Sequence, residues 1–382
     1  MSSPCPHYPN CVGCPLIGTA YGDQLLRKRE IVAAALAAYP SLARVAVPEV
    51  VGSPRAFGYR NQAKLVARTG RRGLLLGIYR PGTHDVVDIR RCPVHAAPIH
   101  DVIERVAEVV ERFAVPIYDE DAHTGLLRYV VVRASQWNKA VQVILVVRSR
   151  ALPRERDIVR ALTRQRGVVS VVLNINRDPG NAIFGPEFIT LTKEDGLIEK
   201  IGGLRMRTRA GVFLQANPNI AGRIYRQALE WAAPAADEAV VDLYCGAGAL
   251  TFYLASAAHT AFGIESSPVA VLDAKRNARL NGVHNSRFQA GDAAELLAEL
   301  AAAVAPAVIT LNPPRKGADE HTRRAIAACS PRRVVYISCD PGTLARDLDW
   351  FAANGYRIEA LRAFDMMPQT EHVETVALMV RR

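Results

Sequence analysis

The stretch Val240-Val-Asp-Leu-Tyr-Cys-Gly-Ala-Gly-Ala-Leu-Thr251 decides the fold of this chain. An apolar run leads into two glycines, Gly246 and Gly248, and a second apolar run follows them. Glycine adopts backbone conformations that other residues avoid, and it lets a ligand approach the main chain closely. The stretch therefore predicts a strand, a tight turn and a helix, whose first amides would face negative or polar ligand atoms.

A carboxylate follows this turn at a distance typical of nucleotide-binding folds. The apolar residues 261–264 end in Glu265, about 20 residues after the glycines, where such folds place the carboxylate that holds the ribose hydroxyls. Dinucleotide sites carry a third glycine, and the shorter pattern here favours S-adenosylmethionine. The alternative is an ordinary buried turn with an incidental surface glutamate.

From about residue 200 onwards, strand-like and helix-like segments alternate, which predicts a mainly parallel sheet with ligands at the carboxyl ends of its strands. Three such ends carry Asn312, Cys339 and Glu374. A thiol and a carboxylate beside a methyl donor indicate methylation of a weakly nucleophilic carbon such as uracil C5, where thiolate addition to C6 activates C5 and a base then removes the C5 proton. The alternative for Cys339 is a small core residue at a strand end.

Near the N-terminus, Cys5, Cys11 and Cys14 have the spacing C-x5-C-x2-C, and Cys92, which precedes a proline, can supply a fourth ligand. Four sulfurs hold either zinc or a [4Fe–4S] cluster. The x5 spacing is wider than that of zinc knuckles and favours iron–sulfur, while unrelated free thiols remain an alternative. Seven cysteines in a chain without a signal sequence argue against a disulfide framework.

The chain of 382 residues has a net charge of +11, and residues 51–100 contain nine basic and two acidic side chains. This concentration indicates a polyanionic partner such as RNA, although a solvated basic face would look the same. No apolar run is long enough for a membrane helix and no signal peptide is evident, so we expect a cytoplasmic protein without a membrane partner. The chain is long enough for two or three domains.

The first half reads as an α+β region. Periodicity predicts helices over 24–39, 98–113 and 154–166, and strands over 127–134, 140–147 and 168–174. Residues 55–64 interleave aromatic and basic side chains, as RNA-binding surfaces do, but a half-buried strand gives the same alternation. A basic turn over 69–73 contains Arg71 and Arg72, which we expect to contact RNA phosphates.

Five motifs in this order resemble the RNA (uracil-5-)-methyltransferase family, especially its iron–sulfur 23S ribosomal RNA members without an N-terminal TRAM domain. They are C-x5-C-x2-C and residues 242–248, 312–315, 338–348 and 365–374. The resemblance implies an α/β chain with two parts. Residues 1–205 would form an iron–sulfur and α+β RNA-binding region, and residues 206–382 a Rossmann-like class I S-adenosylmethionine-dependent methyltransferase domain.

The resemblance also implies roles for individual residues. Cys339 takes the position of the nucleophile that adds to C6, and Glu374 that of the base. The positions implied to contact S-adenosylmethionine are Gln215, Tyr244, Gly246, Gly248, Glu265, Asp292 and Asn312. The positions implied to ligate a [4Fe–4S] cluster are Cys5, Cys11, Cys14 and Cys92.

Departures from the family pattern bear on the substrate. Many relatives have Asp at the position of Asn312, Asn at that of Ala249 and Asn at that of Asp340. The first two departures favour the subgroup that modifies a 23S ribosomal RNA hairpin loop, whereas the cysteine spacing is closer to the barrel-bearing subgroup. We expect a monomer acting on 23S ribosomal RNA. Transfer RNA is an alternative substrate, and a non-catalytic iron–sulfur RNA-binding protein is an alternative function that intact Cys339 and Glu374 disfavour.

Overall fold

A computed structural model describes residues 5–71, 73–180 and 182–382, so that Arg72 of the basic turn lies outside the described residues. The helices are α1 Tyr21–Ala37, α2 Ala97–Arg112, α3 Glu155–Thr163, α4 Pro218–Ala232, α5 Ala249–Ala255, α6 Pro268–Leu280, α7 Ala293–Ala303, α8 Glu320–Cys329 and α9 Pro341–Ala353. None of the helices in these ranges has the length and hydropathy that crossing a membrane requires.

The strands of the first half are β1 Gln62–Gly70, β2 Gly73–Tyr79, β3 Val86–Asp88, β4 Leu127–Ala134, β5 Val141–Val147, β6 Val168–Ile175, β7 Glu187–Thr190, β8 Gly196–Ile201 and β9 Leu204–Arg209. Those of the second half are β10 Ala239–Leu243, β11 Thr260–Glu265, β12 Ser286–Ala290, β13 Val308–Leu311, β14 Arg333–Ser338, β15 Tyr356–Phe364 and β16 Glu374–Arg381. The segments predicted from periodicity are confirmed, with small shifts at their ends.

The chain forms two compact units. The first contains residues 5–18, 55–200 and 208–211, and the second contains residues 19–54, 201–207 and 212–382. This division differs from the contiguous boundary expected at residue 205, because α1 packs with the C-terminal sheet. Val32 and Leu36 of α1 share an apolar core with Leu348 of α9, and the one-dimensional pattern of α1 does not indicate which sheet it covers.

The first unit is built on a sheet of order β3-β2-β1-β4-β5-β6-β7. Its pairs are antiparallel except β5–β6, which α3 connects as a crossover. Alternate residues of a strand face opposite sides of a sheet. Ala63 and Leu65 of β1 accordingly pack in the core that includes Ile103 of α2 and Ile158 of α3, and Val66 belongs to a separate cluster on the other face.

The second unit is a doubly wound α/β domain with the sheet order β12-β11-β10-β13-β14-β16-β15. Strands β10 to β14 pair in parallel with one another, and β16 runs antiparallel to both β14 and β15. Successive residues of β10 explain why helices cover both faces, since Val240 packs with α4 and α5 while Val241 packs with α8 and α9. Strands β11 and β12 lie on one side of β10, and β13 and β14 lie on the other side. The helical connections from β10 therefore diverge, which leaves a crevice at the carboxyl ends of β10 and β13, where such folds bind ligands.

Candidate active site

The glycine turn joins β10 to α5 in the second unit. Gly246 and Gly248 have φ angles of 54° and 92°, and Tyr244 at the start of the turn has a φ of 61°. Such positive angles favour glycine, because a side chain there meets steric strain. A Cβ on Gly248 would also lie 3.0 Å from the ring of Phe288. The turn therefore favours glycine at both positions for backbone conformation, and at Gly248 for packing as well.

Glu265, the last residue of β11, is attached to this turn. One carboxylate oxygen accepts the amide hydrogen of Gly246 at 3.1 Å, and the other accepts the amide of Ser267 at 3.0 Å. Beneath the turn, the buried Asp242 accepts hydroxyl hydrogen bonds from Thr251 and Thr310, each 2.7 Å long. Burial raises the pKa of Asp242 to about 6. The amides of Gly246 and Ser267 thus hold the carboxylate of Glu265 beside the glycine backbone.

Further predicted cofactor residues follow the neighbouring strands. Asp292 lies just beyond β12 and caps α7 by accepting the amide of Ala294 at 2.8 Å. Asn312 directly follows β13, and its backbone amide donates to the carbonyl of Leu243 at 3.3 Å. The hydroxyl of Tyr244 lies 3.2 Å from that of Thr322.

Gln215 lies at a different place, in the segment before α4. Its buried side chain is hydrogen-bonded to the hydroxyl of Tyr225. Seven predicted cofactor positions are thus distributed over the strand ends and this one neighbouring segment of the second unit.

Cys339 and Glu374 are adjacent across β14 and β16. Ser338 pairs with Thr375 in antiparallel register, so that the next residue of one strand faces the preceding residue of the other. Directly opposed residues of antiparallel strands have Cα atoms about 5 Å apart. The thiol and the carboxyl are therefore neighbours at one end of the paired strands, although they lie far apart in the sequence. Asp340 caps α9 directly after the thiol and accepts the amide of Thr343 at 2.9 Å.

The surroundings of this pair disfavour ionisation of both groups. Burial raises the pKa of Glu374 to about 7. Burial, and next the negative charge of Glu374, also raises the pKa of the Cys339 thiol. Carboxyl groups with a pKa near neutrality are suited to general base catalysis, because they ionise in the working range of the enzyme.

Arg315 is a site residue that the sequence reasoning missed. Its positive charge lowers the pKa values of both Cys339 and Glu374, opposing the effect of burial. The guanidinium is exposed and lies three residues beyond Asn312, in the proline-stiffened turn after β13. Its place in the same motif as Asn312 was the available signal, but the sequence alone did not indicate that the turn faces Cys339.

The four N-terminal cysteines lie in the first unit. All are free thiols, and Cys92 is buried. Burial, and next the thiols of the three other cysteines, raise the pKa of Cys14 to about 12. These thiols are thus close enough to influence one another. Across residues 5–71, 73–180 and 182–382, however, no three His, Cys, Asp or Glu side chains are arranged to hold a metal ion, so the predicted ligand set gains no support from the side-chain positions.

Comparison with known proteins gives the family. Residues 199–382 match the family model described as tRNA (uracil-5-)-methyltransferase. Over 380 residues the chain is 40% identical to an uncharacterized RNA methyltransferase of Geobacter sulfurreducens, and the match covers 99% of this chain and 77% of that protein. The chain belongs to the RNA uracil-5-methyltransferase family.

Other relatives of this RNA methyltransferase agree. It is 35% identical to an uncharacterized RNA methyltransferase of Halalkalibacterium halodurans, with 99% of this chain and 83% of the relative covered. The solved tRNA (uracil-54, C5)-methyltransferase of Pyrococcus abyssi, in complex with S-adenosyl-L-homocysteine, superposes with a TM-score of 0.77 at 28% identity. That match covers 97% of this chain and 86% of the Pyrococcus chain.

These similarities confirm several predictions made from the sequence. The chain is an RNA methyltransferase of the uracil-5 family with a Rossmann-like α/β fold. Its methyl donor is S-adenosylmethionine, and RNA is its substrate class.

Proposed function

We propose that this enzyme methylates C5 of one uridine in 23S ribosomal RNA through a covalent bond between Cys339 and C6 of the base. The observation that carries the proposal is the proximity of Cys339 and Glu374, which flank the paired residues Ser338 and Thr375 and interact electrostatically. They lie at the same end of the sheet as the glycine turn. A methyltransferase acting on nitrogen or oxygen needs no thiol nucleophile, because its target atom already has a lone pair.

Cys339 and Glu374 act at successive steps of the proposed reaction. The thiolate of Cys339 adds to C6, and the electrons of the C5–C6 double bond move towards C5 and the C4 carbonyl. S-adenosylmethionine supplies the methyl group that C5 then takes. Glu374 removes the remaining hydrogen of C5 as a proton, the double bond re-forms, and the Cys339 thiolate leaves C6. The carboxylic acid of Glu374 returns its proton to solvent.

The residues at the strand ends suit an adenosyl ligand. We assign the ribose hydroxyls to the carboxylate of Glu265, which its two amide donors hold beside the glycine turn. Gly246 and Gly248 leave room for close approach of the ligand to the backbone, and Tyr244, Asp292, Asn312 and Gln215 complete the proposed contact set. Gly246, Gly248 and Asp292 are assigned from their position at the strand ends and from the family resemblance.

We also propose that Cys5, Cys11, Cys14 and Cys92 hold a [4Fe–4S] cluster. The donor chemistry fits, since four thiols that influence each other electrostatically lie in one unit. Metal binding would deprotonate the thiols, including those of Cys14 and Cys92, whose pKa values burial raises. In this unit the bound cluster would order the cysteine segment.

The 23S substrate is supported by Asn312 and Ala249, the departures described above. Transfer RNA is the second candidate, favoured by the solved Pyrococcus enzyme, whose name specifies uracil 54 of tRNA. The deciding experiment is to map 5-methyluridine in ribosomal and transfer RNA from cells with and without the gene. Loss of one 23S modification supports the proposal, loss of a tRNA modification selects the second candidate, and an unchanged pattern in both RNAs contradicts both.

A further inference from the structure

One face of the first unit's sheet contains a cavity of about 670 Å³. The opposite face is covered by α2 and α3. The cavity lies between residues of three adjacent strands, represented by Lys64 of β1, Tyr79 of β2 and Tyr129 of β4. It is open to solvent, and the loop after β2 and Ile183 form its border. All of these residues belong to the first unit, whereas Cys339 belongs to the second.

The cavity wall combines apolar and aromatic side chains. Tyr79 is partly exposed, and its ring packs edge-on against the imidazole of His84, with ring centroids 5.7 Å apart. Glu120 holds both rings, since it accepts the Tyr79 hydroxyl at 2.9 Å and contacts Nδ1 of His84 at 2.6 Å. Rigidly held aromatic rings favour stacking of an unpaired base, because little side-chain freedom is lost on binding.

The charge in the cavity is positive. Lys64 lines it, and burial, together with the positive charges of Arg60 and Arg133, lowers the pKa of the Lys64 ammonium. Arg80 is exposed and also lines the cavity. The nearby carboxylate of Glu120 is already paired with Arg68 and His84, so it does not neutralise Lys64. Among the described residues, Lys64 has no carboxylate partner, and a phosphate would supply the missing negative charge.

From these contacts we infer that the cavity binds one unpaired nucleotide of the RNA substrate. The base stacks on the wall formed by Tyr79 and Tyr129, and the phosphate lies towards Lys64 and Arg80. Proteins commonly recognise single-stranded RNA by combining aromatic stacking with cationic phosphate contacts. The inference rests on RNA as the substrate class and not on the chemistry assigned to Cys339 or on which RNA is modified.

The cysteine segment, residues 5–14, contacts two residues that line the cavity. Nη2 of Arg80 donates to Oδ1 of Asn10 at 3.4 Å, and Asn10 lies between Cys5 and Cys11. Ile78, another lining residue, packs on Gly13, where an added Cβ would lie 3.3 Å from Cδ1 of Ile78. Disorder of the cysteine segment should therefore weaken nucleotide binding even though the cysteines do not line the cavity.

Binding of a fluorescent single-stranded oligouridylate to the full-length protein tests the inference. Tyr79→Ala should weaken binding roughly ten-fold, because it removes one stacked ring, and Tyr79→Phe, which keeps the ring, should restore most of the affinity. Lys64→Met should lower the slope of log affinity against log salt by about 0.7, the contribution of one phosphate contact on a single strand. The matched control is Arg156→Met on α3, at the opposite face of the sheet, which should leave the slope unchanged.

A second measurement uses the unaltered protein, in case a variant fails to fold. Oligouridylate carrying 4-thiouridine is photo-crosslinked to the enzyme, and the modified peptides are identified by mass spectrometry. Crosslinks within residues 78–84 or at Tyr129 support the inference. Crosslinks confined to other segments, together with wild-type affinity of a folded Tyr79→Ala protein, would overturn it. The far-ultraviolet circular dichroism spectrum and the urea midpoint of each variant check that the protein is folded, because S-adenosylmethionine binding reports on the other unit.

Discussion

Lys28 on α1 and Asp365, directly after β15, form an ion pair with no solvent exposure on either side chain. The same ammonium donates to the carbonyl of Met367 at 3.0 Å. The hydroxyl of Tyr21 donates to the second carboxylate oxygen of Asp365 at 2.8 Å. Helix α1 is thereby fastened to the segment that leads into Glu374.

A second contact joins the same two segments. Nε2 of Gln24 donates to Oε1 of Gln369 at 3.0 Å, and the amide of Gln369 donates to Oε1 of Gln24 at 2.9 Å. Gln369 has a φ of 70°, so this residue is held in a conformation that it would not adopt freely. Helix α1 thus holds the backbone of residues 365–369, a few residues before Glu374.

The first prediction concerns the buried ion pair. Lys28→Met leaves the carboxylate of Asp365 buried without its cation, which typically costs about 3–5 kcal/mol of the free energy of unfolding. Urea denaturation measures the loss. The control Arg27→Met removes an exposed partner of Glu371, with 54% and 50% exposure, and should change stability by less than about 1 kcal/mol.

A double variant distinguishes loss of the ionic interaction between Lys28 and Asp365 from loss of side-chain packing. When Lys28→Met is combined with Asp365→Asn, no charge remains buried, and the introduced amide keeps an acceptor oxygen for Tyr21. The double variant should therefore be more stable than Lys28→Met alone. A double variant as unstable as the sum of the two single variants would show that the charges do not interact.

Two strand ends of the second unit could be predicted from the sequence, because β13 and β14 are largely apolar runs that end just before Asn312 and Cys339. Glu374 was also expected at the carboxyl end of a strand, and this was wrong, because Glu374 is the first residue of the antiparallel strand β16. The spacing between Gly246 and Glu265 even predicted which carboxylate lies beside the turn. The pairing of Cys339 with Glu374 could not be read from spacing, since it depends on the antiparallel register of β16. From the sequence, these two residues were linked by their chemistry at predicted strand ends and by the family resemblance, and not by a predicted strand pairing.

The partners of two α1 side chains and the surroundings of Lys64 could not be predicted from the sequence. The amphipathic pattern of residues 24–39 predicted a helix, but Lys28 and Gln24 on its buried side find their partners more than 300 positions away, at Asp365 and Gln369. Likewise, the sequence does not distinguish Lys64 from the other cations of the basic segment, residues 51–100. The pairing of strands in the sheet places Lys64 in the same cavity as Tyr79 and Tyr129. Long-range polar contacts of this kind leave no periodic signal in a sequence.

The second prediction tests the roles of Cys339 and Glu374. Cys339→Ala should abolish methylation while S-adenosylmethionine binding persists, because the thiol acts on the base. Glu374→Gln should stall after methyl transfer, since the C5 proton remains in place, and a protein–RNA adduct should survive denaturing electrophoresis. Normal turnover of Cys339→Ala, or full activity of Glu374→Gln without an adduct, would refute the assignment.

The third prediction uses the charge of Arg315. This cation lowers the pKa values of Cys339 and Glu374, and both groups must be ionised to act. Arg315→Met should therefore raise both pKa values and move the rising limb of the pH–rate profile to higher pH. Because the guanidinium is exposed, activity at neutral pH should fall only about two- to five-fold from this effect.

The neighbouring Lys316 offers the control for this pH experiment, since it is exposed and lies one residue further along the same turn. Lys316→Met should leave the profile in place. The same shift in both variants would mean that general surface charge, and not Arg315, sets the two pKa values. A loss of activity in Arg315→Met that is equal at every pH would point to substrate binding instead.

The fourth prediction concerns the cysteine segment. Protein purified without oxygen should contain about four iron and four sulfide per chain, as a [4Fe–4S] cluster requires. Cys92→Ser removes a buried thiol and should lose most of the iron, whereas Cys329→Ser at the end of α8 should keep it.

Because Arg80 contacts the cysteine segment through Asn10, Cys92→Ser should also weaken oligouridylate binding while S-adenosylmethionine binding in the other unit persists. One zinc per chain in colourless anaerobic protein would replace the cluster with a zinc site, and iron retained in Cys92→Ser would remove Cys92 from the ligand set.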